Sequence, residues 1–123
     1  TLIFDEVDSG VGGAVAETVG RLMQQLGIDR QVLAVTHLPQ VAACADHHGV
    51  VSKQSDAQGV ISQVALVEGE ARVSEIARML GGEKISDTTR AHAREMLQIR
   101  HASTSFERDE RASSKATKIK VKA

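Results

Sequence analysis

The sequence predicts an α/β domain, and three observations carry that prediction. An apolar run of strand length, "TLIF" (Thr1 to Phe4), leads through a glycine-rich turn into a helical stretch. A second apolar run, "QVLAVTH" (Gln31 to His37), follows that helix, and the second half of the chain reads as two strands followed by two helices. A strand, a helix and a strand in this order form a crossover unit with parallel strands, and such crossovers are nearly always right-handed.

Each element has a local reason. "TLIF" is apolar without interruption, the pattern of a strand covered on both faces of a parallel sheet. In "AVAETVGRLMQQLG" the residues Val15, Val19, Leu22, Met23 and Leu26 fall on one helical face, and Gly27 is placed to end the helix. Leu38-Pro39 starts a short helix with Val41, Ala42 and Ala45 on its apolar side, since proline suits a first helical turn. "GVVSKQ" and "VISQVALV" flank "SDAQG", a hairpin signal with a loop longer than two residues. The second arm alternates, with Val60, Val64 and Leu66 on one side, so half of it is expected to be exposed. "RVSEIARML" (Arg72 to Leu80) carries Val73, Ile76, Ala77 and Leu80 on one stripe, with Gly81 or Gly82 as its stop. Ser86 or Asp87 caps a last helix running to about His101.

The 123 residues suffice for one modest domain, with an aliphatic core because Phe4 and Phe106 are the only aromatic residues. No apolar run approaches the roughly 20 residues that a membrane span needs, so no membrane partner is expected. Cys44 is the only cysteine, which rules out an intrachain disulfide and fits a reducing cytoplasm. Residues 1–99 hold 8 of the 15 Lys and Arg and 13 of the 16 Asp and Glu, so the rest of the chain is basic. The division expected is a folded unit over 1–101 and a disordered basic tail over 102–123, whose few large apolar side chains cannot offset the entropy of ordering.

The chemistry concentrates where the first apolar run ends, in Asp5 and Glu6. In open α/β sheets ligands bind beyond the carboxyl ends of the strands, and alternation sends adjacent side chains in different directions. One carboxylate can then face a magnesium ion and the other an attacking water. His37 closes the second strand at the same edge. An acidic strand end for Mg²⁺, a carboxylate to activate water and a hydrogen-bonding group for the terminal phosphate are the requirements of nucleotide hydrolysis.

"LIFDEVDSGVGG", "VLAVTHLPQVAACADHHGVVSK", "EARVSEIARMLGG" and "HAREML" together closely resemble the C-terminal ATPase lobe of the RecN family of bacterial DNA repair proteins, relatives of the SMC proteins with ABC-type ATPase heads. The resemblance covers about residues 1–98. It implies the C-terminal lobe of a P-loop NTPase head in which "LIFDE" is the Walker B strand. Asp5 would hold Mg²⁺ through water, Glu6 would be the catalytic base, and His37 would be the switch histidine near the γ-phosphate of ATP. Asp8 and Ser9 would lie in the D-loop, facing a second head. Val7 stands where most ABC proteins have proline. No GxxxxGK followed by Ser or Thr occurs, and no "LSGGE"-like signature precedes Asp5, so the expectation is a C-terminal piece lacking the Walker A half. The implied partners are the N-terminal lobe of the same head, a second head in an ATP-sandwiched homodimer, and DNA through the full-length protein. The implied setting is cytoplasmic and nucleoid-associated, in DNA double-strand break repair and recombination. Alone, without a P-loop, the chain is expected not to hydrolyse ATP.

Other motifs point to chemistry less well. "GVGG" lacks a P-loop lysine and reads as a permissive turn before a helix. "LGGEKIS" follows His37 and reads as a helix end. His37, Cys44, Asp46, His47 and His48 suggest zinc, but no pair has the spacing of a zinc site. The runner-up function is a winged helix–turn–helix DNA-binding module built from the hairpin and the last two helices. Its second helix carries Arg90, Arg94 and Arg100 but also Asp87 and Glu95, which dilutes any basic face.

Overall fold

The computed structural model describes residues 1–6 and 9–99. Strand β1 (Leu2–Asp5), helix α1 (Gly13–Leu26) and strand β2 (Val32–Val35) form the expected crossover unit. The strands pair in parallel, with Leu2 level with Val32 and Asp5 level with Val35. Helix α2 (Pro39–Cys44) follows, then the antiparallel hairpin of β3 (His48–Asp56) and β4 (Gly59–Val67), then helix α3 (Gly69–Gly81). A last helix, α4, covers 87–99. Its predicted end at His101 and the basic segment 102–123 lie outside the described residues. No helix among those described is long and apolar enough to cross a membrane.

Local chemistry explains the boundaries. Ser86 caps α4: its Oγ accepts the Thr89 N–H at 3.1 Å. Gly82 ends α3 with φ +67°, and its N–H donates to the Arg78 carbonyl at 2.8 Å. The hairpin loop is tighter than predicted. Asp56 pairs with Gly59, which leaves two residues at the tip. One Asp56 carboxylate oxygen accepts both the Gln58 and the Gly59 N–H, at 2.8 and 3.0 Å, so the aspartate closes the turn itself.

The core is helical. Ala42 and Ala43 of α2, Val73, Ile76 and Ala77 of α3, and Ala93 and Leu97 of α4 form one buried cluster, with Met79, Leu80 and Met96 packed against it. The stripe predicted on α3 is the buried one. On α2 the predicted partner Ala45 gives way to Ala43, because the helix ends at Cys44.

Helix α1 departs further from expectation. Its predicted apolar face leaves Val15 and Leu22 more than half exposed, and Ala16 and Gly20 are buried instead. Small size is the reason. A Cβ on Gly20 would lie 2.9 Å from Cys44 Sγ and 3.2 Å from the Gln40 carbonyl, so α2 crosses α1 at a spot that admits no side chain. The sheet departs too. Leu2 and Phe4 are half-buried, whereas Ile3, Leu33 and Val35 on the other face stay exposed, so among the described residues β1 is covered on one face and not on two. The hairpin likewise exposes Val51, Val60, Val64 and Leu66, which alternation and register place on one face.

Candidate functional site

The site grows from the carboxyl ends of β1 and β2. Asp5 is the last residue of β1, level with Val35, and alternation puts it on the open face with Ile3, Leu33 and Val35. Glu6 leaves the strand with φ +54°, in the left-handed region that a non-glycine residue rarely occupies. Its carbonyl accepts the Ser9 N–H at 3.1 Å, which folds the chain into a turn. Asp5, Glu6 and Ser9 are all exposed. Asp8 lies outside the described residues.

On the neighbouring strand, β2 stops at Val35, two residues short of the predicted end. Thr36 turns the chain: its hydroxyl accepts the Leu38 N–H at 3.0 Å, bracketing His37 in a tight bend. The Leu38 carbonyl then accepts the Val41 and Ala42 N–H groups at 3.2 and 3.1 Å, starting α2 with Pro39 in its first turn. His37 is therefore exposed in the loop that leaves β2. Neighbouring strands lie about 4.8 Å apart, so the parallel register brings the backbones of Asp5-Glu6 and Thr36-His37 out at one edge. The rim thus brings two exposed carboxylates and an imidazole to adjacent chain exits, without gathering them into a group of three able to hold a metal ion.

Two groups with displaced titrations, His48 and Glu75, accompany Arg72 near the far end of α2. His48 opens β3, and burial, reinforced by the Arg72 charge, holds its imidazole below the ordinary value of 6.5, with Glu75 pulling the other way. Its Nδ1 is buried without a hydrogen-bond partner among the described residues. Glu75 is held below the usual carboxylate range mainly by its hydrogen bonds from Arg78, at 2.6 and 2.9 Å.

Arg72 itself is only 8% exposed, and its Nη2 donates to the carbonyls of Ala45, Ala42 and Ala43 at 2.7, 3.2 and 3.5 Å. Arg72 did not stand out as a site residue in the sequence, and His48 did so only within the grouping that suggested zinc. The available signal was that Arg72 sits four residues before Ile76 on the buried stripe of α3, the one cation there.

Two alternatives fare less well. Among the described residues no three His, Cys, Asp or Glu side chains come together in a group able to hold a metal ion. For the winged-helix reading, Arg90 donates to Ser74 at 2.9 Å, while Arg94 and Arg78 pair with Glu70 and Glu75 at 2.9 and 2.6 Å. These guanidinium groups are engaged within the chain rather than gathered into a basic face.

Comparison with known proteins adds an independent line. No family model matches the chain. It is 50% identical over 102 residues to the DNA repair protein RecN of Streptomyces coelicolor, covering 83% of this chain and 18% of that protein. It is 48% identical over 97 residues to RecN of Vibrio cholerae, covering 79% of this chain and 18% of the relative. For RecN of Mycobacterium leprae the identity is 53% over 97 residues, covering 79% and 16%. The chain spans less than a fifth of the length of these relatives. Among solved structures, one from work on the structural biochemistry of ATP-driven dimerization and DNA-stimulated activation of SMC ATPases matches with a TM-score of 0.54. It is 21% identical and covers 67% of this chain and 48% of that one, a likeness of fold. Sequence and fold converge: this α/β chain belongs to the RecN family, of which it spans one segment, and its fold is like that of an SMC ATPase structure.

Proposed function

We propose that the chain forms the catalytic rim of an ATPase head in a longer RecN-like protein of DNA double-strand break repair and recombination. One observation carries the reading: β1 and β2 run parallel and side by side, so that Asp5-Glu6 and Thr36-His37 leave the sheet at the same edge. The relatives named for DNA repair and the SMC-like fold support it.

In this reading Asp5 holds Mg²⁺ through water. The donor set suits that ion, since Mg²⁺ takes oxygen ligands and is usually held by one or two carboxylates together with water and phosphate oxygens. When bound, the ion neutralises charge on the ATP phosphates. Glu6 takes a proton from the attacking water as general base. His37, in the bend made by Thr36 and Leu38, hydrogen-bonds the γ-phosphate. Asp8 and Ser9, two and three residues beyond Glu6 in the sequence, face a second head across an ATP sandwich.

The phosphate-cradling loop comes from the N-terminal lobe of the same head. That lobe packs on the open sheet face of Ile3, Leu33 and Val35, which burial would remove from water. ATP binding closes two heads and hydrolysis releases them, coupled to DNA engagement by the full-length protein in the nucleoid.

The test is Glu6→Gln in the longer protein. Turnover is expected to fall by at least about 10²-fold with ATP binding retained, because only the proton-accepting oxygen is lost. Unchanged turnover removes Glu6 from the role of base.

A further inference from the structure

We propose that Arg72 is a positioning residue for the Thr36–His37–Leu38 bend, holding the histidine at the rim from a distance of two helices. The importance of that bend rests on the role of His37 given under Proposed function; the coupling itself does not.

The bend continues directly into α2, which has only six residues. A helix this short cannot sustain itself, since nucleation fixes several residues for very few hydrogen bonds and the last four carbonyls have no partner within the helix. Something outside must hold it. Pro39 presets the first turn. At the other end the Arg72 guanidinium, rooted in α3, donates to the carbonyls of Ala42, Ala43 and Ala45. A buried cation there also meets the negative end of the aligned peptide dipoles.

From that clamp an unbroken series of hydrogen bonds reaches the histidine. Arg72 Nη2 donates to the Ala42 carbonyl at 3.2 Å. The Ala42 N–H donates to the Leu38 carbonyl at 3.1 Å. The Leu38 N–H donates to Thr36 Oγ1 at 3.0 Å. Both chain neighbours of His37 are thereby tied to a side chain in α3. Val73, Ile76 and Ala77 beside Arg72 pack on Ala42 and Ala43, so the polar clamp and the apolar contact act on the same short helix.

The experiment is nuclear magnetic resonance of the 123-residue chain with Arg72→Met and Arg72→Lys. Methionine keeps much of the aliphatic stem and removes the guanidinium, whereas lysine keeps the charge without the planar fork. Arg72→Met is expected to shift the His37 ring signals. It should also speed amide exchange at Leu38 and Ala42 by about tenfold, as for losing hydrogen bonds from a charged donor. The β3–β4 ladder amides should be unchanged, and Arg72→Lys should respond less than Arg72→Met. Unmoved His37 and Leu38 signals in Arg72→Met overturn the proposal. So does a loss of protection shared equally by the hairpin, outright unfolding included, and so does a lysine response as large as that of methionine. No nucleotide enters the measurement, so it can fail while the ATPase reading stands, or hold if that reading falls.

Discussion

The helical half and the sheet half of this molecule are built on opposite terms. Around α2, α3 and α4 the apolar side chains face one another, and Ile76, Ala77 and Ala93 are wholly buried. The Arg72 Nη2 that enters this region is compensated by the carbonyls of α2. At β1 and β2, Ile3, Leu33 and Val35 stand in the open beside the exposed Asp5, Glu6 and His37. The half that coheres carries none of the proposed chemistry, and the half that carries it is incompletely covered. Apart from the Arg72 clamp, which joins the two, stability and function are separable here by position, and substitutions should sort accordingly.

The sharpest contrast is between Ile76→Ala and Leu33→Ala. Ile76 is fully buried, and its truncation should cost about 2–5 kcal/mol through lost burial and a residual cavity. Leu33 is 56% exposed, and its truncation should stay within about 0.5 kcal/mol. Urea unfolding of the two variants measures both, and equal losses would erase the division between the halves. Gly20→Ala tests the seam between them. The added methyl would meet Cys44 and Gln40, and overpacking of this kind costs about 1–3 kcal/mol, offset by up to about 1 kcal/mol of helix propensity. A net gain in stability would show that α1 and α2 part easily.

The smallest effect expected is one of pH. His48 is held below its ordinary value of 6.5 in the folded chain, so the unfolded chain binds the proton more readily. Its contribution is present above that value and is lost as pH falls from there through the lowered one. Glu75, held below its ordinary 4.5, adds a further loss only at lower pH. His48→Gln should therefore flatten the upper part of the acid unfolding curve and leave the lower part in place. A curve of unchanged shape would mean that the His48 environment has no effect on folding.

Much of this arrangement was legible in the sequence, and what was not has specific causes. The crossover, the hairpin, the α3 stripe and the Ser86 cap each follow from local pattern. The α1 face did not, because hydrophobicity favours Val15 and Leu22 over Ala16 and Gly20, whereas close helix contact selects for smallness. The Asp56 turn escaped because one carboxylate replaced the longer loop. At the rim, the edge shared by Asp5-Glu6 and Thr36-His37 was readable from two strand ends. The Arg72 clamp was not, since it joins residues 27 to 30 positions apart that no local pattern connects.

The backbone of Glu6 has a consequence of its own. Holding a residue with a Cβ at φ +54° costs of the order of 1–3 kcal/mol, and glycine would avoid that cost while forfeiting about 0.5–1 kcal/mol in chain entropy. Glu6→Gly would then make a sturdier chain that has lost its acid group. Any breeding of this segment for robustness alone would drift toward that exchange, trading away the carboxylate proposed to take the proton from water.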